Sequence, residues 1–243
     1  MAQSLADHRK EAHHLSGLQE NLKQIVYGGN DGIVTTFAIV AGFAGAGSEG
    51  TAQIGAIAVL VFGLANLFAD AVSMGLGEFL STRSQRDLYL TQRRIEEREL
   101  AENPEAEREE LIAMMRARGL PEAAAQSAAD ALMQSPELVV DMMMSYELEM
   151  DDMRAATPAW DGMVTFVAFT LFGAIPLLPY FMRDPDVLSF QLSIAATLSA
   201  LVLLGLLRWY ASREAVLRCV GETVLVGSVC AVVAYGVGAI VGG

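Results

Sequence analysis

Apolar residues in this chain gather into five long runs, and one polar block separates the second run from the third. The runs cover about 25–47, 52–80, 159–182, 187–210 and 220–241. Each is near the roughly 20 apolar residues that carry a helix across a bilayer. The second run continues without Gly or Pro from STRSQRD into ERELAEN, so it predicts one long helix that leaves the membrane. Within the polar block, Asn103-Pro104, Gly119-Leu120-Pro121 and Ser135-Pro136 mark helix starts. They predict three further helices, at about 105–118, 121–134 and 136–154. Residues 1–24 are polar and predict a short amphipathic helix on the membrane surface. The expected fold is all-α and polytopic, with five transmembrane helices. The expected segments are 1–24, 25–82, 83–157 and 158–243, the third being a helical domain inserted between spans two and three.

The second run carries a pattern that plain spans lack. Asn66, Asp70, Met74 and Glu78 recur at every fourth residue, among Ala, Val, Leu, Phe and Gly. At 3.6 residues per turn that spacing drifts by only about 40° per step, so the four form one stripe. A carboxylate at the bilayer centre costs about 2.5–3.5 kcal/mol and persists where it faces a partner, a water-filled path or a cation. A thioether between two acids adds a soft ligand to hard ones, which suits a borderline transition metal. A polar seam that holds helices together would leave the same pattern. The first run holds one acid, Asp31, inside GGNDG. Reading Asn30-Asp31-Gly32 as a turn leaves a span of only about 15 residues, too short without tilt or thinning. Asp31 is therefore expected inside the span.

Composition sharpens this picture. A hydrophobic content of 53% with a mean hydropathy of +0.38 is too apolar for an ordinary soluble domain. The net charge of −13 argues against nucleic acid and for cations as partners. Residues 83–157 hold nine Arg, no Lys and seventeen acids, so most of that charge resides in the polar block. Basic residues precede span one (Arg9, Lys10, Lys23), fill the block and recur after span four (Arg208, Arg213, Arg218). This alternation predicts a cytoplasmic N-terminus, a cytoplasmic domain and an external C-terminus. The N-terminus has no apolar signal core, so the first span is expected to be retained. Arg over Lys and the lack of targeting signals suggest a bacterial inner membrane. Cys219 and Cys230 make neither a disulfide framework nor a zinc motif. His8, His13 and His14 are expected on a solvated helix face.

The block also carries candidate ligands. Glu96 and Glu99 share a helix face, and Glu107 and Glu110 repeat the spacing after the break at Pro104. A helical hairpin there would bring the pairs together. The last helix adds Met142, Met143, Met144, Glu147, Glu149 and Met150. Clustered carboxylates repel unless a cation neutralises them, and carboxylate with thioether fits Fe²⁺ or Mn²⁺. A solvated acidic surface over a Met-filled core would read the same way. A di-iron bundle enzyme needs Glu-x-x-His pairs, and no His follows His14. No nucleophile–base pair or phosphate-binding glycine loop appears, so no catalytic residues and no prosthetic group are expected.

The order GGNDG, ADAVSMGLGEFLSTRSQRD, an acidic insert with Glu pairs, GLPEAAA and MMMSYELEM resembles the vacuolar iron transporter family. The likeness covers nearly the whole chain after about residue 22. It implies a homodimer of five-span subunits that moves Fe²⁺, and often Mn²⁺, out of the cytoplasm in exchange for protons. It implies that Asp31 and Met74 lie on the pathway. It also implies that Glu96, Glu99, Glu107 and Glu110, with Met143 and Glu147, hold metal in the cytoplasmic domain. The chain departs from the plant pattern at Asn66 and Gln24, where plant members carry acids, and Asp70 and Glu78 are expected to take over that charge. The expected function is proton-coupled export of divalent metal, with Asp31, Asn66, Asp70, Met74 and Glu78 along the pathway. A membrane-tethered metal sensor or scaffold, and a passive cation channel, are the competing expectations. Membrane lipid, protons and divalent metal are the expected partners.

Overall fold

The computed structural model describes residues 17–45, 52–182 and 187–242, and every regular element among them is helical. The three histidines and most of the expected N-terminal surface helix lie outside the described residues. A helical turn at Gly17–Glu20 leads into α1 (Leu22–Gly45). Asn30, Asp31 and Gly32 are helical within α1, so no turn forms at GGNDG. Helix α2 (Ala52–Glu102) is unbroken for 51 residues. At 1.5 Å per residue it is about 76 Å long, more than twice the hydrocarbon thickness. Its apolar part, up to about Leu80, is the segment fit to cross a membrane.

The chain divides into two compact units, Leu80–Pro158 and the remainder. The smaller unit contains the charged end of α2 with α3 (Pro104–Ala117), α4 (Glu122–Leu132) and α5 (Pro136–Tyr146). Pro stands at the first turn of α3 and of α5, where its missing N–H leaves no bond unmade. Its core is Leu111, Ile112, Met115, Ala125, Ala129, Val139 and Met143, with a second cluster of Tyr89, Val140 and Met144.

The last helix of this unit is shorter than expected: it ends at Tyr146, not near 154. Glu149 takes a positive φ of 51°, which no α-helix admits. The Leu148 and Met150 amides turn back to the Met143 and Met144 carbonyls, at 3.1 and 2.9 Å. Leu148, Met150 and Met153 then pack onto the Tyr89 cluster. Asp152 holds the Arg154 amide and guanidinium, at 2.9 and 2.8 Å, and that same guanidinium reaches Asp141 at 3.1 Å. Hydrophobic anchoring and this ionic strap outweigh the helix bonds that residues 147–154 would have made.

The larger unit holds α1, the apolar part of α2, α6 (Pro158–Ala174), a 3₁₀ turn at Ile175–Leu177, α7 (Leu178–Met182), α8 (Val187–Ser212) and α9 (Val216–Gly242). Pro176 sits in the 3₁₀ turn, where the span expected at 159–182 tightens. Among the described residues, four helical stretches are long and apolar enough to cross a membrane: Ile57–Glu102, Pro158–Met182, Val187–Ser212 and Val216–Val241. Each buries less than half of its most apolar window. Ile57, Val61, Phe62, Phe68, Val72 and Leu76 stay exposed on α2. Apolar faces of this extent suit lipid rather than water. Helix α1 is less apolar because of Lys23, Asn30, Asp31 and its threonines.

Inside, the helices approach closely. A Cβ added at Gly28 would stand 2.7 Å from the Thr165 carbonyl oxygen, and one at Gly75 would stand 2.9 Å from that of Gly162. Glycine at these positions lets α6 lie against the backbones of α1 and α2. Phe37, Val40, Ala41, Val59, Leu177 and Tyr180 form one buried cluster, and Leu67, Ala71 and Phe169 another.

Candidate metal sites

In the smaller unit, the hairpin of α2 and α3 brings the two glutamate pairs together. Carboxylate oxygens of Glu96, Glu99 and Glu107 all lie within 4.8 Å of one another. The burial is uneven. Glu96 and Glu107 are 6% and 5% exposed, while Glu99, Glu110 and Glu147 are exposed. Glu107 Oε2 is buried with no hydrogen-bond partner. Both buried acids hold their protons up to about 7. Burial is the larger cause for each. For Glu96 the charges of Glu147, Glu107, Glu99 and Glu110 add to it; for Glu107 the additions come from Glu110, Glu147 and Glu99. Glu147 is also pushed upward, by burial and then by Glu110 and Glu99. Five carboxylates therefore share one field with no Lys or Arg among the causes of any of the three shifts. Met143, at 1% exposure, packs inside the aliphatic core of this unit.

Such a cluster can do two things. It can keep protons on its buried members, or it can release them to a divalent cation that supplies the missing positive charge. The oxygen-only donor set favours a hard or borderline ion.

Three arginines of this unit, Arg93, Arg108 and Arg154, are engaged with other acids. Arg93 is bonded to Asp141 and lies 3.2 Å from Glu97, and Arg108 lies 2.6 Å from Asp130. Asp152, held by Arg154, is pulled down to about 2.

In the larger unit, the α2 stripe is half-buried along its length. Asn66 Nδ2 donates to Asp70 Oδ2 at 2.6 Å, one turn further on. Asp70 interacts electrostatically with Asp31 of α1, so acids from two helices face one region. Met74 packs beside Leu67, Ala71 and Phe169. Glu78 accepts from Lys23 Nζ at 3.2 Å and from Gln24 Nε2 at 3.4 Å, both on α1. Asp31 also lines a cavity of about 810 Å³ with Lys23, Tyr27, Asn30, Arg208 and Glu222. Glu222 lies near the start of α9 and is paired. Arg208 of α8 pairs with it at 2.8 Å and Arg218 at 3.1 Å. Arg218 could have been found from its i,i+4 spacing; Arg208, on another helix, could not.

The sequence profile of the VIT family matches residues 22–239. The chain is 30% identical over 233 residues to vacuolar iron transporter 1 of Arabidopsis thaliana, covering 96% of this chain and 90% of that protein. It is 31% identical over 245 residues to the vacuolar iron transporter of Plasmodium falciparum, covering 96% and 86%. The vacuolar iron transporter of Toxoplasma gondii is 38% identical over 173 residues, covering 70% of this chain and 55% of that protein.

Proposed function

We propose, from the premise that this chain belongs to the VIT family, that it exports Fe²⁺, and Mn²⁺ as well, from the cytoplasm in exchange for protons. It is a transporter and not an enzyme, and Fe²⁺ is its cargo rather than a prosthetic group. Helix α1, at 24 residues or about 36 Å, is the fifth span beside the four more apolar ones. The N-terminus and the acidic domain lie in the cytoplasm of a bacterial cell, the C-terminus lies outside, and two subunits pair.

The observation that carries the reading is the carboxylate cluster. Glu107 Oε2 is buried without a donor, and the oxygens of Glu96 and Glu99 are within 4.8 Å of its carboxylate. An unpartnered buried carboxylate is unfavourable unless a proton or a cation completes it. Here the cluster captures metal from the cytoplasm and exchanges it for protons. In the membrane, Asp31 and Asp70 with Met74 repeat the same exchange, while Asn66 and Glu78 extend the stripe to either side.

Electrical work requires the coupling. Moving a divalent cation outward against 100 mV takes about 4.6 kcal/mol, at roughly 2.3 kcal/mol per charge. Two protons moving inward per metal would make the cycle electroneutral. The test is metal uptake into proteoliposomes containing the full chain, with and without an imposed proton gradient. Uptake that follows the gradient is expected. Uptake that ignores it would indicate a passive channel, and none at all would indicate a tethered sensor.

A further inference from the structure

Glu78 ends the α2 stripe, and its surroundings differ from those of the other members. Its side chain is 11% exposed, whereas the Lys23 side chain that reaches it is 71% exposed. The next residue on α1, Gln24, is 9% exposed and donates its amide N–H to the same Glu78 oxygen. The Gln24 carbonyl oxygen is buried and has no donor at all. Consecutive helical residues diverge by about 100°, so Lys23 and Gln24 come to Glu78 from different sides. The result is a buried carboxylate beside a buried amide whose carbonyl oxygen lacks a donor, with a removable ammonium supplying the positive charge; rotating that amide about its last torsion turns its oxygen, in place of its N–H, toward Glu78. Two oxygen donors of this kind are what a divalent cation takes up. The Lys23 stem can swing into water at little cost, and the acid left behind then needs another cation.

We propose that Glu78 and the Gln24 carbonyl form a further cation station in the membrane unit, and that Lys23 occupies it as a tethered competitor until divalent metal displaces the ammonium. The proposal rests on the transporter reading above. It gives Lys23 a role that a merely structural ion pair lacks: it sets how much metal is needed to load the pathway.

The test measures Mn²⁺ uptake by the full chain in proteoliposomes as a function of Mn²⁺ concentration. Lys23→Met is expected to lower the half-saturating Mn²⁺ concentration about fivefold, and Lys23→Arg to leave it near the wild-type value. In a Gln24→Leu background the effect of Lys23→Met should shrink to less than twofold. In Glu78→Gln, Lys23→Met should have no effect. Wild-type uptake with an unchanged half-saturating concentration in Lys23→Met overturns the proposal and leaves the transporter reading standing. An absence of wild-type uptake overturns both. A fivefold shift that persists in Glu78→Gln would also overturn it, because Lys23 would then act through some other group.

Discussion

Replacing Glu107 with Gln should have opposite effects on the empty and the metal-loaded protein. Glu107 is 5% exposed, and its carboxylate has an oxygen within 4.8 Å of oxygens on Glu96 and Glu99. Two unit charges 4.8 Å apart repel by about 3 kcal/mol at an effective dielectric near 20, and by less than about 1 kcal/mol in bulk water. Glu107→Gln keeps the shape, removes one charge and gives the neighbouring carboxylates an N–H donor. Without metal at pH 8, the smaller unit should gain about 1–3 kcal/mol. For a unit of this size that is a rise in Tm of about 4–24 °C, at roughly 4–8 °C per kcal/mol. At pH 5 the gain should nearly vanish, because Glu107 holds its proton up to about 7. The pH dependence has a defined sign. An acid whose folded pKa is raised stabilises the fold fully below its unfolded value near 4.5, and that stability is lost as pH rises through about 7. Metal affinity should move the other way. Losing a charged ligand removes about 1.5–3 kcal/mol, or at least tenfold in Mn²⁺ affinity. Thermal melts followed by circular dichroism and titration calorimetry with Mn²⁺, both on the detergent-solubilised full chain, read the two effects. A lower Tm at pH 8 together with unchanged Mn²⁺ affinity would refute the reasoning.

Other outcomes follow from the packing. Asp141→Ala leaves the Arg93 guanidinium, 10% exposed, with the more exposed Glu97 as its remaining carboxylate and loosens the Arg154 strap, so the smaller unit should lose about 2–3 kcal/mol in denaturant titrations. Limited proteolysis should then cut first within 147–157. Gly75→Val should lower the thermal stability of the detergent-solubilised protein by about 1–3 kcal/mol, since its Cβ would stand 2.9 Å from the Gly162 carbonyl. Gly77→Ala, with nothing near its Cβ, should not.

The long second helix was readable because no Gly or Pro stands between Leu80 and Asn103, and the Pro104 break was equally plain. The end of α5 was not readable. No Gly or Pro marks Tyr146; what stops the helix is the left-handed Glu149 and the hold of Arg154 on Asp141 and Asp152. Glutamates three apart announce a shared face, but not which of them will be buried. That depends on how α3 folds back, which only packing decides. The Asn66–Asp70 bond follows from i,i+4 spacing, whereas the Lys23 and Gln24 contacts of Glu78 join residues more than fifty apart. A run of Met is equally compatible with ligands and with core, and Met143 lies within the aliphatic core.

If acids embedded in the spans exchange protons for metal, the decisive measurement is Fe²⁺ uptake into proteoliposomes under an imposed pH gradient, comparing wild type with Asp31→Ala. That exchange requires wild-type uptake that collapses with a protonophore. In Asp31→Ala no uptake is expected, while Fe²⁺ binding at the Glu96–Glu107 cluster stays intact. Full gradient-driven uptake by Asp31→Ala would contradict such exchange.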